Sequence, residues 1–159
     1  MQVRDATFED CDALGAAMKV VADEGRWLAT ERGTTELELA NRFRQAILEG
    51  DQLLVLEEEG AVVGALGLHS TQAEGVVSLG MWVLPTHRRR GGGRTLMEAA
   101  LAARPEEVHK IELEVWPDNE AAIALYRELG FEEEGLRRDH YRRRDGSLRS
   151  SLIMARLFT

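Results

Sequence analysis

The stretch from Val76 to Trp116 restricts the possible folds more than any other part of the chain. A β-rich run from Val76 to Leu84 stops at Pro85. A basic cluster and three glycines, Arg88-Arg-Arg-Gly-Gly-Gly93, then open a helical segment that reaches about Arg104. Beyond it, Lys110 to Trp116 alternates Ile111, Leu113 and Val115 against Lys110, Glu112 and Glu114. Alternation of that kind puts the apolar side chains on one face of a strand. Strand, helix and strand in succession form a crossover, which joins two parallel neighbours. The chain therefore needs a sheet with at least one parallel pair and a helix packed on it.

The flanking segments supply the rest of that sheet. Met1 to Asp5 reads as a short strand. Thr7-x-x-Asp10 resembles a capping box with an aspartate in the usual Glu or Gln position, and a helix follows to about Val21. Ala22 to Gly33 is polar and irregular, and carries Trp27 and Leu28. A second box, Thr35-x-x-Glu38, opens a helix with Leu39, Phe43 and Ile47 at helical spacing, ended by Gly50-Asp51. Gln52 to Glu57 and Val62 to Ser70 read as a hairpin around Glu58-Glu59-Gly60, with Val76 to Leu84 as the third strand of a meander. Asn119 to Leu129 reads as a helix stopped by Gly130. Phe131 to Arg143 and Leu148 to Leu157 are the last two strands, joined at Arg144-Asp-Gly-Ser147, a tight-turn signal. The expected order is β-α-α-β-β-β-α-β-α-β-β. That is an α/β chain of the α+β kind, with a mixed sheet and helices on its faces. At 159 residues, with no repeat or linker, it reads as a single domain, 1–159.

Charge narrows the partners. The formal net charge is −8 and the sequence pI about 5.1, which argues against general nucleic-acid binding. Cys11 is the sole cysteine, so no disulfide can form within the chain; it reads as a core residue, and a reducing cytoplasm is expected. The first ten residues lack the apolar run of a signal peptide, and no segment approaches the roughly 18 apolar residues of a membrane span. His69, His87, His109 and His140 have no metal-ligand spacing, and no metal is expected.

Against this acidic background, the cations beside the glycines stand out. A helix start exposes unpaired N–H groups and a partial positive charge. Glycines let a ligand approach the main chain closely. Arg88, Arg89, Arg90 and Arg94 add full charges. The combination points to a phosphate site. A basic surface loop would carry the same residues, so both readings stand on this feature alone. No Gly-Lys-Ser/Thr follows, so this is not a Walker A loop, and the glycine spacing is not a dinucleotide fingerprint.

Arg88-x-x-Gly91-x-Gly93 resembles the Q/R-x-x-G-x-G/A signature of the GNAT family of N-acetyltransferases. Trp82-Val-Leu-Pro85 looks like the strand that leads into that family's pyrophosphate loop. Asn119-Glu-Ala-Ala-Ile-Ala-Leu-Tyr-Arg-Glu-Leu-Gly-Phe131 looks like its second motif, N-x-x-A-x-x-L-Y-x-x-x-G-F. The two motifs lie at the family's usual separation, and the element order matches nearly throughout. The closing stretch from Glu134 to Arg156 loosely resembles members that act on amino acids, small amines or protein N-termini.

The resemblance implies a GNAT fold with the fourth and fifth strands splayed, acetyl-CoA as donor, and direct attack by an amine. A small-molecule amine is the expected acceptor. A protein N-terminus is the alternative, and a coenzyme A sensor without catalysis is the rival from another class. A homodimer is expected, as is common in the family. Main-chain amides from Arg89 through Arg90, Gly91, Gly92 and Gly93 to Arg94 would hold the pyrophosphate, with Arg88 shaping the loop and Thr95 offering a hydroxyl. Met81, Trp82 and Val83 would present main chain to the pantetheine arm, and Val83 N–H would face the oxyanion. Asn119 and Ala122 would lie near the cofactor, although Asn119 also suits an N-cap. Tyr126 would protonate the leaving thiolate; a half-buried core tyrosine is the plainer role.

The base is the open question. Some members carry a glutamate six residues before the position of Val83, where this chain has Val77. Glu24 is the candidate, with Glu114 and His69 behind it and a water relay as a further route. Trp27 and Leu28 would line the acceptor pocket. The run Arg137, Arg138, Arg142, Arg143 and Arg144 reads as a solvated face, or as supplying one arginine to a substrate carboxylate.

Overall fold

A computed structural model describes residues 1–159. Strand β1 is Gln2–Asp5, helix α1 Cys11–Asp23 and α2 Glu36–Leu48. Strands β2 Gln52–Glu58, β3 Ala61–Ser70 and β4 Val76–Val83 follow, then α3 Gly92–Ala102, β5 Lys110–Val115, α4 Glu120–Glu128, β6 Glu132–Arg142 and β7 Leu148–Leu157. The strand order is β1-β2-β3-β4-β5-β7-β6. The expected element order and the parallel β4–β5 pair are present, and the remaining registers given for the sheet are antiparallel.

Local chemistry places the boundaries. Thr35 Oγ1 accepts from Glu38 N–H at 3.1 Å while the Glu38 carboxylate accepts from Thr35 N–H at 3.1 Å, so both halves of the capping box form. At the earlier box Asp10 accepts from Thr7 N–H at 2.7 Å, and a short 3-10 turn over Phe8–Asp10 precedes α1. The β2–β3 hairpin turns on Glu59 and Gly60, with φ of 52° and 79°. Positive φ at both central residues is the turn whose twist suits two paired strands.

The chain divides into two compact units. One comprises Met1–His69 and Gly80–Arg104, the other Ser70–Leu79 and Pro105–Thr159. In the first, Leu14, Ala17, Val21, Leu53, Val55, Ala65 and Trp82 form a buried cluster. Phe43 packs against it, its ring 6.4 Å from that of Trp82. Helices α1 and α2 approach closely there: a Cβ on Gly15 would lie 2.6 Å from the Glu36 carbonyl oxygen and 2.7 Å from Ala40 N. Cys11 is fully buried, as its place on α1 suggests.

In the second unit, β5 buries Ile111, Leu113 and Val115, as its alternation dictates. The β4–β5 ladder runs from Val76–Lys110 to Leu79–Leu113 and ends there, although β4 continues to Val83. The expected parting of the fourth and fifth strands corresponds to this end of the pairing. β5 keeps its antiparallel partner β7 to Val115–Leu152. No helix is long and apolar enough to cross a membrane.

Candidate functional site

The loop before α3 turns on two left-handed residues. Arg89 has φ 61° and Gly91, the N-cap of α3, φ 84°. Only glycine takes that conformation freely, so Arg89 is held there by its surroundings. The first turn of α3 closes with Thr95 N–H to Gly91 O at 3.0 Å, and the Thr95 hydroxyl donates to the same oxygen at 2.9 Å. The N–H groups of Gly92 and Gly93 precede that bond and have no intrahelical acceptor. A Cβ on Gly92 would meet Leu56 Cδ2 at 2.6 Å, so the helix start rests directly on β2, whereas nothing lies within 4 Å of a Cβ built on Gly91.

The arginine side chains are placed differently from a row of free cations. Arg88 donates to Glu24 through both terminal nitrogens, at 2.9 and 2.6 Å, and its Nε donates to Val83 O at 3.1 Å. It thereby ties the loop to the end of β4 and to the C-cap of α1. Arg90 grips Glu58 at 2.7 and 3.1 Å. Arg94 lies 3.9 Å from Glu98 one turn along α3. With Arg88 and Arg90 held by carboxylates, the donors left uncommitted by the helix are the main-chain N–H groups of its first turn.

Glu24 stands in the same contact. With both oxygens accepting from Arg88, it positions a loop arginine, and taking a proton would require it to leave that pair. Trp27 and Leu28 are half-buried; Leu28 packs against the core of the first unit, and the Arg26 guanidinium lies 3.9 Å over the Trp27 ring.

Strand β4 shows why its odd positions matter. Leu84 N–H donates to Val63 O at 2.8 Å, and a Cβ on Gly64 would lie 2.8 Å from Trp82 O, so Trp82 and Leu84 direct main chain at β3. Main-chain groups alternate in direction along a strand. Met81 and Val83 therefore point theirs away from β3, beyond the last β4–β5 pair. The Trp82 side chain belongs to the buried core, so any contribution from Trp82 to a ligand is through main chain.

In the second unit, Asn119 is the N-cap of α4, and its Oδ1 accepts from Ala122 N–H at 3.3 Å. Gly130, φ 88°, ends α4: Gly130 N–H donates to Arg127 O at 3.0 Å and Phe131 N–H to Tyr126 O at 2.9 Å. This pair of bonds is a Schellman cap, whose usual apolar contact is here the Tyr126 and Phe131 rings at 6.0 Å. The cap fixes Tyr126, which is buried. Burial pushes its phenol up to about 12, because ionisation would leave a charge in an apolar setting.

Also in this unit, Glu114 accepts from Arg137 at 2.6 Å and from the Tyr141 hydroxyl. Tyr141 stands edge-on to Trp116, with rings 5.4 Å apart. Burial, then the bond to Glu114, pushes the Tyr141 phenol up to about 12. Sequence reasoning named Glu114 and Arg137 but missed Tyr141, which the β6–β7 hairpin brings back. It also missed Glu58, which has no local signal. His69 is paired with Asp51 at 2.9 Å. No cluster of three or more His, Cys, Asp or Glu could hold a metal ion.

N–H groups without helical acceptors at the start of α3, an N-cap glycine without a crowding neighbour, and main chain beyond the β4–β5 ladder suit the diphosphate and amide-bearing arm of a coenzyme A. Comparison with known proteins agrees with this chemistry. The sequence profile described as Acetyltransferase (GNAT) family matches residues 19–131. The chain is 42% identical over 72 residues to the [ribosomal protein bS18]-alanine N-acetyltransferase of Escherichia coli K12, covering 45% of this chain and 48% of that one. It is 49% identical over 59 residues to the N-alpha-acetyltransferase RimI of Mycobacterium tuberculosis, covering 36% and 35%. The matched stretch thus spans about half or less of these relatives' length. A ribosomal-protein-alanine N-acetyltransferase from Brucella melitensis superposes with a TM-score of 0.88 at 27% identity, covering 99% and 100% of the two chains. A phosphinothricin acetyltransferase from Sinorhizobium meliloti, solved with acetyl-CoA, shares the fold at a TM-score of 0.84 and 24% identity, covering 99% and 88%. With two motifs, the matched profile and the strand order in agreement, the chain belongs to the GNAT family of acetyltransferases.

Proposed function

We propose that the protein transfers an acetyl group from acetyl-CoA to the α-amine of a protein N-terminus. The observation that carries the transferase reading is the end of the β4–β5 ladder at Leu79–Leu113, with Met81 and Val83 main chain continuing beyond it. An extended ligand adds to such main chain as a further strand. The acceptor is favoured by relatives named as ribosomal-protein-alanine N-acetyltransferase and N-alpha-acetyltransferase, and this moves the reading away from a small free amine.

Acetyl-CoA supplies the thioester. The chain's part is to hold, orient and move protons. The loop from Arg89 to Arg94, with Thr95, binds the diphosphate through main chain, and Arg88 keeps the loop on β4. Val83 N–H donates to the carbonyl oxygen as negative charge develops there. The attacking amine must be neutral, so a proton has to leave it. Glu114, which Arg137 holds through one nitrogen where Arg88 clasps Glu24 through two, is the carboxylate we assign to receive that proton, directly or through water, on giving up its bond from Arg137 or Tyr141. Tyr126, protonated at every working pH, gives its proton to the departing sulfur. Asn119 and Ala122 form the α4 start near the thiol end, and Trp27 and Leu28 line the acceptor side.

The test is thiol release from acetyl-CoA with an alanine-initiated peptide, the same peptide with a blocked α-amine, and a panel of amino acids. Release with the free peptide only is the expected result. Release with amino acids alone would restore the small-amine reading. Coenzyme A binding without release for any amine would make the protein a sensor.

A further inference from the structure

We infer that Glu58 is a built-in competitor for the phosphates of coenzyme A, holding the Arg90 guanidinium and the His87 ring away from the ligand and thereby weakening the loop's grip. This rests on the reading that the loop before α3 binds the coenzyme's diphosphate.

Glu58 is the last residue of β2, and the two-residue turn Glu59–Gly60 that follows fixes its direction. Its carboxylate takes Arg90 through both oxygens, at 2.7 and 3.1 Å, and His87 Nε2 at 3.0 Å. The other ring nitrogen of His87 lies 2.8 Å from Thr86 Oγ1, which orients the imidazole. Arg90 holds the Glu58 carboxyl below the usual carboxylate range, so Glu58 is an anion at neutral pH. One carboxylate thus collects the side chains of His87 and Arg90 from both sides of Arg88 and Arg89, in the loop that leads into the free N–H groups of the α3 start.

A ligand phosphate near this loop meets two unfavourable effects. It is repelled by Glu58, which lies within a Debye length of any group that Arg90 can reach. It must also compete with Glu58 for the Arg90 guanidinium, whose fork is already filled. Neither effect touches the amide contacts. A loop with all its cations free would hold the coenzyme product longer, and product release commonly limits turnover. Glu58 therefore sets the rate at which coenzyme A leaves.

The experiment compares coenzyme A binding to the wild type, Glu58→Gln and Glu59→Gln by calorimetry, with the dissociation rate from stopped flow and thermal melting to confirm folding. Glu59 has the same charge, adjoins Glu58 and forms no ion pair. The expected result is about two- to fivefold tighter binding and slower release in Glu58→Gln, the size of effect an exposed ion pair provides, vanishing near 1 M salt. Glu59→Gln leaves both values at wild type. Unchanged or weaker binding in Glu58→Gln overturns the inference, as does an equal gain in Glu59→Gln, which would assign the effect to net charge. If the wild type itself binds no coenzyme A, the reading of the loop falls, and this inference with it.

Discussion

At the scale of single residues, Tyr126 carries the sharpest expectation. Its ring is fixed by the Schellman cap of α4 and by Phe131, so replacing it by phenylalanine removes a proton donor and little packing. Tyr126→Phe should lower kcat by about a hundredfold or more, as loss of a general acid does, and leave coenzyme A affinity near wild type. Steady-state kinetics beside calorimetry separate the two. Burial raises the phenol from 10.0 to about 12. The neutral form is thus the one favoured in the fold, and its stabilising contribution is present below about pH 10 and lost as pH rises towards 12. A kcat profile should accordingly show no limb from Tyr126 below about pH 10. The motif made Tyr126 and Asn119 legible in the sequence. Arg88–Glu24 and Arg90–Glu58 were not, because the partners lie 64 and 32 positions apart and no local pattern links them.

At the scale of elements, the close crossing of α1 and α2 depends on Gly15. Alanine normally favours a helix interior over glycine by about 1 kcal/mol. Here its methyl would strike the Glu36 carbonyl and the Ala40 amide, main-chain atoms that cannot turn aside. Gly15→Ala should therefore destabilise the protein by about 1–3 kcal/mol, read from urea unfolding, despite its better propensity. Helix and strand limits were legible to within a residue or two, because caps and turns are local. Asn119, Gly130 and the two capping boxes did this work, and the alternation of Ile111, Leu113 and Val115 gave the buried face of β5. The insertion of β7 between β5 and β6 was not legible, nor the register shift between Arg137 and Tyr141, where Asp139 has φ 48°. The first is set by a partner distant in the chain, and the second lies inside a hairpin with no pattern of its own in the sequence.

At the scale of the molecule, acid should loosen the clamp at the N-terminal strand only below about pH 4. Arg4 grips Asp10 at 2.8 Å and Glu57 at 3.0 Å, joining β1 to the turn before α1 and to β2. The bond to Arg4 lowers the Asp10 carboxyl from 3.8 to about 2. A lowered carboxyl stabilises the fold above its unfolded value and loses that contribution as pH falls through the folded one. About 1 kcal/mol should disappear between about pH 4 and pH 2, less than the full shift because solvent screens the pair. Asp10→Asn should be less stable at neutral pH and show a shallower acid slope, measured by urea titration at several pH values.

The division into units also bears on how the chain is made. Each unit is assembled from two separate stretches, so no single cut yields either one whole. During synthesis, the first unit is finished once Arg104 emerges. At that moment Ser70–Leu79 is already present, but the β5 segment it pairs with has yet to appear. A half-made sheet edge must therefore wait for the last third of the protein, and the order of translation leaves the Tyr126 unit to close last.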